Sequence, residues 1–165
     1  MKRDIEVLKR RMLTIPVDVF GAINDYDIEL ERKPLESGVS GKISYDAGQF
    51  KIAVESRDAL VRQRFTAAHE LAHFLLHSRL LSEAGELNRH EDILFEINGR
   101  TNPTAPLSRA HEVEANKLAA TILMPAGYIR ANYDPELDNV AELARELEVS
   151  RAAIEIRLKN LSLKK

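Results

Sequence analysis

Two histidines lie four residues apart in an apolar stretch, RFTAAHELAHFLLH (residues 64–77), where His69, Glu70 and His73 form the pattern H-E-x-x-H. Ionisable side chains in an apolar core are costly unless they are paired or bind a metal. On a helix, residues four apart share nearly the same face, so the two imidazoles can point at one position. Glu70 is displaced from His69 by about 100° around the helix, which places its carboxylate beside that position.

This spacing suits a catalytic zinc site. Zinc binds nitrogen and oxygen ligands tetrahedrally, and catalytic sites keep one position for water. The ion lowers the pKa of that water, and a neighbouring glutamate can accept its proton. H-E-x-x-H on a helix is therefore typical of metallopeptidases. The alternative is that two helical histidines merely pair with core carbonyls. Three of the chain's five histidines lie in this one helix, which favours His69 and His73 as zinc ligands and Glu70 as general base.

A third ligand must come from elsewhere, and it must be a histidine or a carboxylate because the chain has no cysteine. The metzincin pattern would place glycine and histidine where this chain has Leu76 and Arg79. A downstream helical segment, HEVEANKLAATILMP (residues 111–125), offers Glu112 and Glu114. Glu112 lies nearer the middle of the apolar arc of that helix and Glu114 toward its edge, so helical phase leaves the choice open.

Together these segments resemble the ImmA/IrrE family of zinc metallopeptidases, whose pattern is F-T-x-A-H-E-x-x-H followed by an E-A-N segment that ends in L-M-P. The stretches GVSGKISYDAGQFKIAVE and LARELEVSRAAIEIRLKNL are also similar to that family, so the resemblance covers nearly the whole chain. In the family the glutamate immediately before Ala-Asn is the third zinc ligand, which implies Glu114 here, with Glu112 as the alternative. Ala72 stands where the family usually has glycine, and the linker between the motifs is long.

The resemblance also implies an activity and a partner. Members of the family cut a helix-turn-helix repressor, often encoded beside them, and so switch on phage, mobile-element, toxin–antitoxin or stress genes. We therefore expect a zinc-dependent endopeptidase that cleaves such a repressor. The alternative is a metal-containing binding module that holds a repressor or toxin partner without cutting it. The intact Glu70 favours the enzyme, because a pure binding module has no use for a base beside the metal.

The elements that position these residues follow from apolar periodicity. The predicted strands cluster before the long helices, so the expected fold class is α+β, with a small antiparallel sheet (about residues 26–55) packed on a zinc-binding helical metallopeptidase core. We expect a gluzincin-type domain at 1–135 and a C-terminal helical pair, helix-turn-helix-like, at 136–165. The predicted helices cover about residues 3–13, 17–23, 109–124, 137–147 and 151–161, with a shorter one through Tyr128 and Ile129. The long helix that carries H-E-x-x-H is predicted to run through His77, with Ser56 or Asp58 as its N-cap. Residues 78–107 are expected to be a covering flap or a solvated connection.

Several other polar residues have weaker assignments. His77 extends the face of His73 and is expected to be structural or to support a ligand. His90 and His111 are expected to be solvated. Asn116 is expected to orient Glu114 or to cap a neighbour. Hydrolysis also needs a donor for the developing oxyanion, and the sequence does not choose among the candidates Tyr128, Tyr133, Arg109 and His111.

Composition narrows the possible environments and partners. The net charge of −2 gives no general attraction to nucleic acid. The helix-turn-helix-like segment 136–165 carries six basic and six acidic residues, which argues against direct DNA binding because groove readers neutralise phosphates. No stretch approaches the roughly 18–20 apolar residues of a membrane span, and the N-terminus lacks the apolar core of a signal peptide. We expect a cytoplasmic protein with no membrane association, and the sequence leaves its oligomeric state open.

Overall fold

The computed structural model describes residues 5–84, 87–89 and 107–164. Two short helices come first, followed by three strands, the long helix that carries H-E-x-x-H, a fourth strand and four further helices. Their bounds are α1 (Ile5–Arg11), α2 (Val19–Asp25), β1 (Glu29–Lys33), β2 (Gly41–Asp46), β3 (Gln49–Glu55), α3 (Leu60–Ala84), β4 (Leu87–Arg89), α4 (Arg109–Leu123), α5 (Ala126–Asn132), α6 (Val140–Glu146) and α7 (Arg151–Asn160). The fold class is α+β, as the sequence predicts.

The sheet has the order β1-β3-β2-β4 and is mixed, whereas the sequence analysis predicts an antiparallel one. Strands β2 and β3 form the predicted antiparallel hairpin, and β2 also pairs antiparallel with β4. Strand β1 instead runs parallel to β3, with Leu30 opposite Ile52. The apolar alternation of a half-buried strand is the same for both kinds of pairing, so it does not reveal that β3 lies between β1 and β2.

The β2–β3 hairpin closes through a two-residue turn. Asp46 pairs with Gln49, and the residues between them, Ala47 and Gly48, have φ angles of 48° and 88°. Positive φ at both central positions is the signature of a type I′ turn, whose twist matches that of the flanking strands. The turn therefore fixes the register that buries Ile43 opposite Ile52.

Helix α3 lies against the sheet and forms the centre of the core. It packs on β2, β3 and α2, and α4 packs against it. Ala67, Leu71 and Leu81 on α3 are fully buried. Fully buried Ala115 and Ala119 face the same core from α4, and small side chains let two helices approach closely. Helix α3 continues to Ala84, seven residues beyond the predicted end at His77. Most of the expected flap, including His90, lies outside the described residues.

The C-terminal helices contribute to the same apolar core. Buried residues of α6, α7 and the turn between them belong to the cluster that contains Leu71 of α3: Val140, Leu143, Ala144, Leu147, Val149, Ile154 and Leu158. Arg157 of α7 donates from Nε to the carbonyl oxygen of Met124, at the end of α4, over 3.1 Å. A domain boundary near residue 135 stays a prediction.

A buried arginine joins α3 to this C-terminal pair. Arg64 is 5% exposed, and its guanidinium donates to three carbonyl oxygens: Val17 at 2.9 Å, Glu148 at 3.3 Å and Leu147 at 3.5 Å. The carboxylate of Glu148 also lies 3.3 Å from Arg64 Nη1. One side chain near the start of α3 thus binds both the segment before α2 and the turn between α6 and α7.

Among the residues that the structure describes, no helix has both the length and the apolar character needed to cross a bilayer.

Candidate metal centre

Three side chains from two helices bring possible ligand atoms together. His69 and His73 of α3, one turn apart, point their Nε2 atoms to within 2.9 Å of each other. From α4, Glu112 brings Oε2 to 3.3 Å from His69 Nε2 and Oε1 to 3.5 Å from His73 Nε2. Both imidazoles are buried, and the Glu112 side chain is 19% exposed. The group is therefore buried at the two histidines and only partly accessible at the Glu112 side chain.

The dimensions of this group fit a single ion. A tetrahedral zinc with donors at about 2.0–2.2 Å holds its ligand atoms roughly 3.4 Å apart. The measured separations of 2.9, 3.3 and 3.5 Å lie around that value. Two neutral imidazoles and one carboxylate are also the ligand set of many catalytic zinc sites, which leave a fourth position for water. The residues present therefore fit a catalytic divalent metal.

Glu70 is fully buried on the turn of α3 that carries His69. Strand β2 comes very close to this turn at Gly41. A methyl group added to Gly41 would lie 2.2 Å from Cγ2 of Thr66 and 3.6 Å from Cγ of Glu70. The absence of a side chain at Gly41 therefore permits this close approach of strand to helix, and the Glu70 side chain is buried near the start of β2.

The second nitrogen of His69 faces α4. Oδ1 of Asn116 lies 3.0 Å from His69 Nδ1. Asn116 follows Glu112 by four residues, so both side chains project from the same face of α4. An acceptor at Nδ1 places the proton there and leaves Nε2 free to bind a metal. Asn116, which the sequence analysis assigns to Glu114 or to a cap, thus orients His69.

The second nitrogen of His73 faces the next histidine along α3. The Nδ1 atoms of His73 and His77 are 3.1 Å apart, and His77 is 6% exposed. On its other side, His77 Nε2 lies 3.1 Å from Oε2 of Glu114. Glu114, the third ligand implied by the family resemblance, therefore contacts His77. The structure places Glu112 beside His69 and His73 instead.

The remaining candidates from the sequence do not belong to the group of possible ligands. His111 belongs to a capping box with Ser108 and packs its ring 4.6 Å from that of His77. Tyr128 donates to Glu146, and this hydrogen bond raises the pKa of Tyr128. Tyr133 donates to Asp138 over 3.4 Å. Arg109 is exposed at the first residue of α4.

Sequence reasoning missed two functional contacts. The link from Asn116 to His69 was detectable in principle, because Glu112 and Asn116 have the same i, i+4 spacing as the two histidines. The role of Gly41 left no signal, because a glycine at the start of a predicted strand is equally consistent with an ordinary turn. Its importance depends on the distance between β2 and α3, which only the folded chain defines.

The arrangement matches an H-E-x-x-H metal centre whose third possible ligand, the carboxylate of Glu112, lies on a second helix. The family model for the IrrE N-terminal-like domain, Peptidase_M78, matches residues 23–159. The chain therefore belongs to this metallopeptidase family, as the resemblance in its two motifs indicates. The match extends over α6 and α7 as well as the metal centre. Comparison with curated proteins finds no match.

Proposed function

We propose that the chain is a zinc-dependent endopeptidase whose metal is bound by His69, His73 and Glu112, with Glu112 in the place that the resemblance gives to Glu114. The observation that carries the proposal is the convergence of three possible ligand atoms, from His69, His73 and Glu112. Glu70 is buried on the same turn of α3 as His69. Histidine and carboxylate donors also accept other divalent ions, so substitution of the metal in vitro is expected.

The residues around the ion have separate tasks. A zinc ion there would polarise the peptide carbonyl and lower the pKa of the attacking water. Glu70 accepts a proton from that water and delivers it to the amine nitrogen as the peptide bond breaks. Asn116 holds the orientation of His69. Burial of Glu70 against the start of β2 limits the orientations that its side chain can adopt.

The proposed substrate is a helix-turn-helix repressor in the cytoplasm, cut at a specific bond. Support for this comes from the resemblance to the ImmA/IrrE family, whose members switch on gene expression by cutting such repressors. The balanced charge of residues 136–165 and the packing of α6 and α7 into the core favour a protein partner over DNA for this chain. A general substrate such as casein is a poor assay, because a site-specific peptidase leaves it intact.

The first prediction is that Glu70→Gln keeps the metal and loses the activity. The substitution is nearly isosteric, so zinc content and fold should match wild type. Loss of the base should reduce cleavage at least about a hundredfold. The assay is cleavage of the repressor encoded beside the gene, with and without a chelator, together with metal analysis of each purified protein.

Glu83→Gln is the matched control, because it is the same change on the same helix at a side chain that is 64% exposed. It should cleave at the wild-type rate. If Glu70→Gln with full zinc occupancy also cleaves at that rate, Glu70 is not the base. If neither wild type nor variant cleaves but both bind the repressor with equal affinity, the chain is a binding module and the endopeptidase proposal fails.

A further inference from the structure

The geometry points to a supporting chain of hydrogen bonds in which Glu114 positions His77, and His77 fixes the proton and orientation of the metal ligand His73. Glu114 and His77 are positioning residues, not ligands. The inference rests on the proposed metal site, because it requires His73 to bind the ion through Nε2. It gives Glu114 and His77 roles that neither the motif nor the family match assigns.

The direction of this chain follows from the atoms that face each other. An imidazole that binds a metal through Nε2 carries its proton on Nδ1. His73 Nδ1 lies 3.1 Å from His77 Nδ1, so His73 donates and His77 accepts. A neutral His77 that accepts at Nδ1 carries its own proton on Nε2. That Nε2 lies 3.1 Å from the Glu114 carboxylate, which accepts. Each N–H group in the series therefore faces an acceptor: His73 donates to His77, and His77 donates to Glu114.

The packing around His77 supports a fixed orientation of its ring. His77 is 6% exposed and contacts the ring of His73 on one side and that of His111 on the other, with centroid distances of 5.3 and 4.6 Å. A buried ring held between two others loses little further freedom when its two nitrogens are bonded. Glu114 is the solvent-exposed end of this series of hydrogen bonds, since 59% of its side chain is accessible.

Helix α4 thereby supplies hydrogen-bond partners for both His69 and His73, from residues two positions apart. Asn116 accepts from His69, and Glu114 acts on His73 through His77. Glu112 lies between the two histidines. Three residues spaced by two along one helix would then perform three different tasks. Partners of this kind typically change metal affinity by about 10- to 100-fold when they are removed.

The test is zinc affinity, measured by competition with a chromophoric chelator on the full chain. Glu114→Ala should weaken binding about tenfold, the lower end of the range, because water can reach the exposed acceptor position. His77→Leu should weaken binding more, up to about a hundredfold, because it leaves the His73 donor buried without an acceptor. His77→Asn should recover part of the loss, since its side-chain oxygen can occupy the position of Nδ1.

A spectroscopic readout separates positioning from general support of the fold. In the zinc-loaded wild type, nitrogen-15 NMR of the histidine rings should show a proton on Nδ1 of His73 and on Nε2 of His77. Glu83→Ala is the matched control for loss of a surface charge, because its side chain is 64% exposed and lies on the same helix as His77. It should bind zinc as wild type does.

The outcomes distinguish the two proposals. Wild-type zinc affinity in both Glu114→Ala and His77→Leu, or the opposite proton positions by NMR, would overturn the supporting chain while leaving the metal site intact. Loss of zinc in Glu114→Ala as complete as in His69→Ala would also overturn it, by making Glu114 a ligand. Absence of zinc binding by the wild-type chain would overturn the proposed function itself.

Discussion

Away from the metal centre, the carboxylate of Glu55 at the end of β3 accepts several hydrogen bonds. It accepts from the backbone N–H groups of Leu35 and Arg57 and from the Arg57 guanidinium, over 2.6 to 2.9 Å. These bonds, with the Arg57 side chain the largest contributor, lower the pKa of Glu55 from 4.5 to about 2. Arg57 also donates to the Leu35 carbonyl, so Glu55 anchors the loop between β1 and β2.

This carboxylate predicts how stability depends on acid. The unfolded chain takes up the proton near pH 4.5 and the folded chain only near pH 2, so protonation favours unfolding. The contribution of Glu55 is fully present above pH 4.5 and is lost as the pH falls toward 2. Urea unfolding across this range should show a shallower fall in the free energy of unfolding for Glu55→Gln than for wild type. An equal slope in both proteins would contradict the assignment.

Glu36→Gln provides the comparison, because Glu36 lies exposed on the loop that Glu55 anchors. Its unfolding curve should follow wild type at every pH. A change as large as that of Glu55→Gln would mean that any acidic residue near this loop produces the effect, and that the hydrogen bonds of Glu55 are not its cause.

At the residue scale, the sequence identified His69, Glu70 and His73 because helical spacing alone determines that they share one turn. It could not decide between Glu112 and Glu114. The two differ by about 200° around α4, and which of them lies beside His69 and His73 depends on how the two helices cross. The crossing depends on packing between side chains far apart in sequence. The position of Glu112 near the middle of the apolar arc was the only local signal for the arrangement found.

Among the elements, the β2–β3 turn carries an avoidable strain. Ala47 has a φ of 48°, and a residue with a Cβ atom pays about 1–2 kcal/mol for that conformation. Asparagine tolerates it better, and Asn-Gly is the preferred pair for a type I′ turn. Ala47→Asn should therefore raise the free energy of unfolding by about 0.5–1 kcal/mol, measured by urea unfolding.

Gly48→Ala is the opposite change in the same turn. Its φ of 88° is a backbone conformation that residues with a Cβ atom rarely adopt, although the space around it is open, so the variant should be less stable by about 1 kcal/mol or more. Both positions are exposed, so neither substitution alters the core. If both variants shift stability in the same direction, the turn is not the source of the effect.

Element prediction succeeded where a pattern is local and failed where a partner is distant. The hairpin was found because Asp46-Ala47-Gly48 interrupts two alternating strands. The parallel pairing of β1 was missed because its partner β3 lies beyond an intervening strand. The extension of α3 past His77 was missed because its last turns bury Leu81 while exposing Leu80 at 37%. A helical segment with so few buried apolar residues has the same sequence pattern as a loop with scattered apolar residues.

At the scale of the whole molecule, substitution of Arg64 is expected to lower the free energy of unfolding strongly. Removal of its guanidinium by Arg64→Ala would leave three carbonyl acceptors without their charged donor. The expected loss is about 3 kcal/mol, measured as the shift in the urea midpoint at constant slope. Arg79→Ala, on the same helix with a side chain that is 92% exposed, should cost about 0.5 kcal/mol or less.

The same contact predicts that residues 136–165 are required for folding. A chain that ends at 135 would expose the apolar surface that α6 and α7 cover and would lack two of the three carbonyls bound by Arg64. It should fail to give a cooperative unfolding transition. A truncated chain that unfolds cooperatively with wild-type zinc affinity would show instead that the predicted boundary separates independent domains. This contact could not be predicted from the sequence, because an arginine at the start of an apolar helix is normally a solvated end residue.

The position of Arg64 also affects how precisely helix α3 is oriented at the metal centre. Glu70 follows it by six residues, which is about 9 Å along the axis of α3. A tilt of the helix by about 6° around Arg64 would move the Glu70 backbone by about 1 Å, a displacement that can cost a catalyst about a hundredfold in rate. Under the proposed mechanism, the alignment of Glu70 therefore depends on a contact outside the site. The C-terminal helical pair, which adds no side chain to the group of His69, His73 and Glu112, would then help to align that base.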